Sequence, residues 1–142
     1  MADQIFSTSD PNALQIEIED LSSADPKKIA DKIVSILDIK KGDDIKLLQV
    51  HSKTIIADYF VICTANSTTH VKSLSDEVEY QMALCGAPVA RTDGMGGGEW
   101  CVLDFSSVIV HVFIRSAREF YKLDKLWGEA VQIPTDASIS EE

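Results

Sequence analysis

Residues 99–127 read EWCVLDFSSVIVHVFIRSAREFYKLDKLW, and this stretch decides the fold. Trp100 to Phe105 has the length of a strand and runs into the polar pair Ser106–Ser107. Val108 to Ile114 is then apolar almost without interruption. Two strand-length runs joined by so short a polar turn predict a β-hairpin. The second run lacks polar alternation, which predicts a strand covered on both faces. In the first, Trp100, Val102 and Asp104 point one way and Cys101, Leu103 and Phe105 the other. Asp104 shares a face with Trp100, so that face is expected to be at least half exposed. From about Ser116 to Trp127 the pattern becomes helical and rich in aromatic residues. Trp100, Phe105, Tyr121 and Trp127 are the kind of large side chains that anchor protein interfaces.

Upstream, Asp25 is a good N-cap and Pro26 suits a first helical position. Ile29, Ile33, Ile36 and Leu37 then fall on one face of a helix that should end near Lys40–Lys41–Gly42. Strands are predicted at Ile45–Val50 and Tyr59–Thr64, joined by HSKTIIAD, with the second strand buried on both faces. Ser67 or Thr68 caps a longer helix whose stripe is Val71, Leu74, Val78 and Met82, stopped by Gly86. Pro88–Arg91 reads as a short edge strand, where proline is tolerated. The order α-β-β-α-β-β-β-α implies a mixed β-sheet with packed helices, an α/β sandwich. Residues 1–24 are polar and acidic and read as a flexible arm with one turn of order near Leu14–Leu21. Residues 25–130 form the folded domain, and 131–142 read as a disordered acidic tail.

The chain has 142 residues and a formal net charge of −10, from 13 Lys and Arg against 23 Asp and Glu. An acidic chain is repelled by phosphate backbones, so direct nucleic-acid binding is disfavoured. A basic protein is the better electrostatic partner. Cys63, Cys85 and Cys101 are odd in number and show no C-x-x-C spacing, which fits reduced thiols in a cytoplasmic protein. The start, MADQIFSTSDPN, has neither a basic nor an apolar leader region, so no secretory signal is expected. No apolar run approaches the ~20 residues that span a bilayer.

Enzymatic constellations do not assemble in the sequence. The glycine run 94–98 leads into a strand with no following Lys-Ser/Thr, so it reads as a loop and not a phosphate cradle. Asp58, Asp93 and Asp104 are the conceivable metal-binding carboxylates, yet no D-x-D strand of the nucleotidyl-transfer type occurs. His111 lies mid-strand among apolar residues, where a hydrogen-bonded core histidine is the common role. Cys63 and Cys101 fall in core strands, where a thiol is inert. Neither a catalytic residue, a metal site nor a cofactor is expected.

The segments ADYFVICTANSTTHV (57–71), W-x-V-x-D-F (100–105), VIVHVF (108–113) and R-x-x-Y-x-L-x-x-LW (118–127) together resemble the ribosomal silencing factor family, RsfS or Iojap. The resemblance spans roughly residues 27–127 in the expected order. It implies a nucleotidyltransferase-like α/β sandwich without catalytic residues. It also implies binding to the large ribosomal subunit through a basic ribosomal protein, the universal large-subunit protein fourteen. Such binding blocks joining of the small subunit and represses translation in stationary phase. Carried over by position, Trp100 and Phe105 match contact residues of the partner-binding surface, and Asp93 and Asp104 match acidic positions near it. Arg118, Tyr121 and Trp127 match the C-terminal signature, in which packing and contact are both open roles. The sequence departs from the family in its glycine-rich loop and in the size of Phe105. Two alternatives accompany this reading: a divergent nucleotidyltransferase-like enzyme or nucleotide sensor, and a homodimer that hides the aromatic patch.

Overall fold

The computed structural model describes residues 18–50, 57–121 and 131–133. The first helix, α1 (Pro26–Ile39), begins as anticipated: the Asp25 side chain accepts from the Lys28 N–H. Its C-terminus closes through Lys41 N–H to Asp38 C=O and Gly42 N–H to Leu37 C=O. The left-handed residue that this closure requires is Lys41, with φ 70°, and not the glycine. Gly42 is needed for another reason, since a Cβ there would collide with the Cys63 thiol.

Strands β1 (Asp43–Gln49) and β2 (Tyr59–Ala65) pair antiparallel, Leu48 opposite Phe60. Helix α2 (Thr68–Leu84) is capped by Ser67, whose hydroxyl accepts the His70 N–H. Strands β3 (Arg91–Asp93), β4 (Trp100–Asp104) and β5 (Val108–Ile114) follow, then α3 (Arg115–Tyr121) and β6 (Val131–Ile133). The sheet order is β3-β4-β5-β2-β1-β6. Only β2 and β5 run parallel, Ile62 beside His111, because α2 and the β3–β4 ribbon carry the chain back between them. This is the expected mixed sheet with packed helices.

Helices α1 and α2 cover one face of the sheet. There Ile33, Ile36, Leu37, Val71, Leu74, Val78 and Met82 pack on Val61, Cys63, Cys101, Leu103, Val110 and Val112 in the larger core. The opposite face carries a smaller cluster of Leu48, Phe60, Ile62, Phe113 and Ala117, with Trp100 and Ile109 at its margin. Among the described residues, α3 is the helix that packs on this second face.

Three placements differ from the sequence reading by more than a residue or two at an element's end. The edge strand is Arg91–Asp93 and not Pro88–Arg91: ladder pairing starts only beyond the proline, where Arg91 meets Asp104 and Asp93 meets Val102. Leu21 lies in the stretch read as an arm, yet it is buried in the main core and its N–H donates to the Cys85 carbonyl. Val131–Ile133, assigned to the tail, forms β6 on the free edge of β1, with Leu47 opposite Ile133. The last helix is described to Tyr121. Its expected continuation to Trp127, the β1–β2 connection over 51–56, and the rest of the arm and tail lie outside the described residues.

Candidate functional site

The β4–β5 hairpin places the candidate residues on two different faces. Alternation holds strictly along β4: Cys101 and Leu103 are buried, while Trp100, Val102 and Asp104 are half-buried. Phe105 is only 7% exposed and belongs to the core beneath the helices. The structure therefore does not bring Phe105 together with Trp100, although both were expected at one partner surface. The same alternation, applied to residue 105, carries that signal in the sequence. Tyr121 closes α3, and Trp127 lies outside the described residues.

Around Trp100 the second sheet face is an aromatic field. The indole stacks on Phe113 with centroids 4.8 Å apart and planes 24° apart. His111 sits between this pair and Phe60, whose ring centroid is 5.0 Å from the imidazole. Trp100 Nε1 donates to His111 Nδ1 at 3.2 Å. Trp100 and Phe113 are directly opposite in the β4–β5 ladder, and Val102 is opposite His111, so the Trp100–His111 contact is the diagonal one.

Beyond Val102 the field passes into a charged rim. Arg91, Thr92, Asp93, Val102 and Asp104 line an open cleft of about 270 Å³ at the β3–β4 edge. Asp104 is less available there than its sequence position suggests. One carboxylate oxygen accepts the Ser106 N–H at 2.7 Å, and the other meets the Arg91 guanidinium at 3.0 Å. The first bond holds Ser106 at φ 74°, an uncommon conformation for a residue with a Cβ, and so fixes the hairpin turn. Arg91 itself is 82% exposed against 21% for Asp104, which leaves the arginine as the outward partner of the pair. Asp93 is exposed, and its carboxylate accepts the Gly94 N–H at 2.8 Å. The glycine loop is shaped and not merely tolerated. Gly94 has φ 81°, a Cβ on it would strike the Trp100 carbonyl, and Gly98 N–H closes back onto Gly94 C=O.

His111 is a core histidine, as its sequence context implied. It is 7% exposed, and burial lowers its pKa from 6.5 to about 4, so it is neutral at physiological pH. Because indole nitrogen can only donate, Nδ1 is the unprotonated nitrogen and Nε2 carries the hydrogen. A depressed pKa of this kind contributes stability that is fully present above pH 6.5 and lost as the pH falls toward 4. The stability gap between wild type and a His111→Phe variant should therefore change by roughly 3 kcal/mol between pH 7 and pH 4, to the detriment of the wild type. Urea denaturation of both proteins at several pH values measures this, and parallel pH profiles would disprove it.

The buried thiols at the site are poor nucleophiles. The Cys63 thiol, 0% exposed, is pushed up to about 12 by burial, and the buried Cys101 thiol is raised for the same reason. Among the described residues no group of three or more His, Cys, Asp or Glu side chains converges as a metal site. No helix among them is long and apolar enough to cross a membrane. What the arrangement offers is a partly buried indole stacked on an aromatic base, bordered by charged side chains.

A family model described as "Ribosomal silencing factor during starvation" matches residues 23–142. The chain belongs to the ribosomal silencing factor family. The ribosomal silencing factor RsfS of Bacillus subtilis is 35% identical over 104 residues, covering 73% of this chain and 88% of that protein. A mouse protein named "Mitochondrial assembly of ribosomal large subunit protein 1" is 32% identical over 100 residues, or 68% of this chain and 44% of its own. A crystal structure of a Chromobacterium violaceum protein superposes with a TM-score of 0.72 at 28% identity, over 78% of this chain and 91% of that one. The relatives that carry the silencing-factor name are named for silencing and not for an enzymatic activity. Membership gives this chain a ribosome-associated role in translation silencing.

Proposed function

We propose that this protein acts in the cytoplasm by binding the large ribosomal subunit through the sheet face around Trp100, and that its bulk then keeps the small subunit from joining. The partner is a basic ribosomal protein, the large-subunit protein fourteen implied by the family resemblance. One observation supports this reading above the others. Trp100 stands partly buried at the margin of an aromatic patch, beside the charged rim of Arg91, Asp93 and Asp104. Binding hot spots have this composition, an aromatic anchor ringed by polar groups. The net charge of −10 draws the protein toward a basic surface and away from bare RNA phosphates. No bond needs to be made or broken, because occupancy alone shifts the joining equilibrium.

Sucrose-gradient sedimentation tests this directly. The protein should travel with purified large subunits and not with small ones, and pre-loading large subunits with it should reduce monosome formation when small subunits are added. Protein left at the top of the gradient, or undiminished joining, would overturn the proposal. The enzyme or nucleotide-sensor alternative would gain from a clear thermal stabilisation by nucleotide and divalent metal. A concentration-dependent mass in light scattering would favour the homodimer.

A further inference from the structure

We propose that His111 is a positioning residue for the docking surface, its Nδ1 holding the Trp100 indole in the orientation that the partner meets. The inference rests on the reading of Trp100 as an anchor and adds what sets that anchor's geometry. Four contacts carry it. The Trp100 Nε1–H donates to His111 Nδ1 at 3.2 Å. The imidazole is itself wedged, with Phe60 at 5.0 Å on a tilt of 58° and Phe113 at 6.2 Å nearly parallel. The indole is stacked on that same Phe113. Stacking alone leaves a ring free to slide or turn about its normal. A hydrogen bond at its edge removes that freedom, and Phe60 and Phe113 keep the acceptor in place.

The imidazole is suited to this role. Its burial keeps it neutral, so an acceptor lone pair is always offered to the indole at physiological pH. His111 Nε2 is buried with no hydrogen-bond partner among the described residues. An aliphatic residue would fill this strand position without leaving such a group unsatisfied. Retaining an imidazole here is explained by the bond from Trp100. A second consequence concerns the partner: the indole has a single N–H, and it is engaged inside the protein. Trp100 therefore presents only apolar area and the edge or face of its π-system. Apolar stems and cationic groups of a basic protein fit that surface.

The experiment uses the full chain and purified large ribosomal subunits. Variants are His111→Leu, which removes the acceptor, and His111→Asn, which returns an oxygen close to the Nδ1 position. Each is made alone and together with Trp100→Ala. The free protein is read by the NMR resonance and solvent exchange of the Trp100 indole proton, and affinity by co-sedimentation. In His111→Leu the indole proton should shift and exchange faster, and affinity should fall about three- to ten-fold, the worth of one hydrogen bond. His111→Asn should recover most of both. In the Trp100→Ala background, His111→Leu should change affinity by less than about two-fold, because a positioning residue acts only through what it positions.

An unchanged indole resonance in His111→Leu, or an equal loss of affinity in the Trp100→Ala background, would overturn the proposal. If Trp100→Ala left affinity unchanged, the docking reading would fall, and the indole resonance would still report on the bond in the free protein. Should His111→Leu not fold, site-specific replacement of Trp100 by its benzothiophene analogue removes the N–H and leaves His111 intact. Undiminished affinity of that protein would equally overturn the proposal.

Discussion

Trp100→Ala is expected to weaken binding to large ribosomal subunits at least ~30-fold while leaving a folded domain. Truncating an aromatic hot spot costs about 2 kcal/mol or more of binding, and each ~1.4 kcal/mol is a factor of ten. The fold should survive because Trp100 is half-buried at the margin of the smaller cluster, and the main core on the helix side does not include it. Its loss removes one stacked face from Phe113 and the donor to His111, both of which stay in place on the central strand β5. Phe105→Ala makes the informative contrast. That ring is buried beneath the helices, so truncation should cost about 3–5 kcal/mol of stability and reduce binding only by reducing the folded fraction. Far-ultraviolet circular dichroism and urea melts of both variants separate the two mechanisms. Co-sedimentation of Trp100→Ala at wild-type affinity would remove the sheet face from consideration as the docking surface.

The charged rim acts differently from the indole. Asp104 is engaged by the hairpin turn and by Arg91, so it is not a bare carboxylate awaiting a lysine. A partner cation can join this pair or compete with Arg91, and an exposed pair of this kind is worth little by itself. In the proposed complex the rim would serve orientation and encounter rate more than affinity, which would come from the aromatic patch.

Local signals in the sequence were strong where one residue type suffices to produce the feature. Asp25 and Ser67 cap the helices because a short oxygen-bearing side chain can reach a free N–H two or three residues on. The alternation along residues 100–105 separates Trp100 from Phe105, whereas the family's contact position at Phe105 runs against that geometry. What the sequence left hidden depends on distant pairing. Leu21 ends a short apolar–acidic alternation that suggests a turn of order there, yet nothing in that spacing points to the site it fills beside Cys85. Val131–Ile133 is too short to alternate convincingly and becomes a strand only because β1 offers a free edge. The parallel join of β2 to β5 brings Phe60 beside Ile109 and so assembles the aromatic field, which neither strand announces alone. Likewise, nothing in W-C-V-L-D or V-I-V-H-V reveals that the indole nitrogen meets the imidazole. That contact exists because a hairpin of one particular register sets Trp100 diagonal to His111.

Arg118→Ala is expected to destabilise the protein by about 2–4 kcal/mol, the largest loss from any charged residue described. Arg118 is 6% exposed on α3, and its Nη1 donates at 2.7 Å both to the Asp44 carbonyl and to the Thr64 hydroxyl, itself 0% exposed. The Asp44 carboxylate lies 3.5 Å from the same nitrogen. One guanidinium thus ties the last helix to both β1 and β2. Its removal leaves the Thr64 hydroxyl and a backbone carbonyl without that donor and loosens the helix that covers part of the second sheet face. The neighbouring Arg115 is the control. It pairs with Asp43 at 3.0 Å, but both side chains are half or more exposed, and such pairs contribute about 0–1 kcal/mol. Thermal melts should therefore show Arg118→Ala falling by ten degrees or so, at about 4 °C per kcal/mol, and Arg115→Ala by a few at most. Equal, small shifts for the two would mean that α3 is held by its apolar side alone. Packing is the role the geometry gives Arg118 within the family's C-terminal signature, and the proposed ribosome contact rests on Trp100 instead.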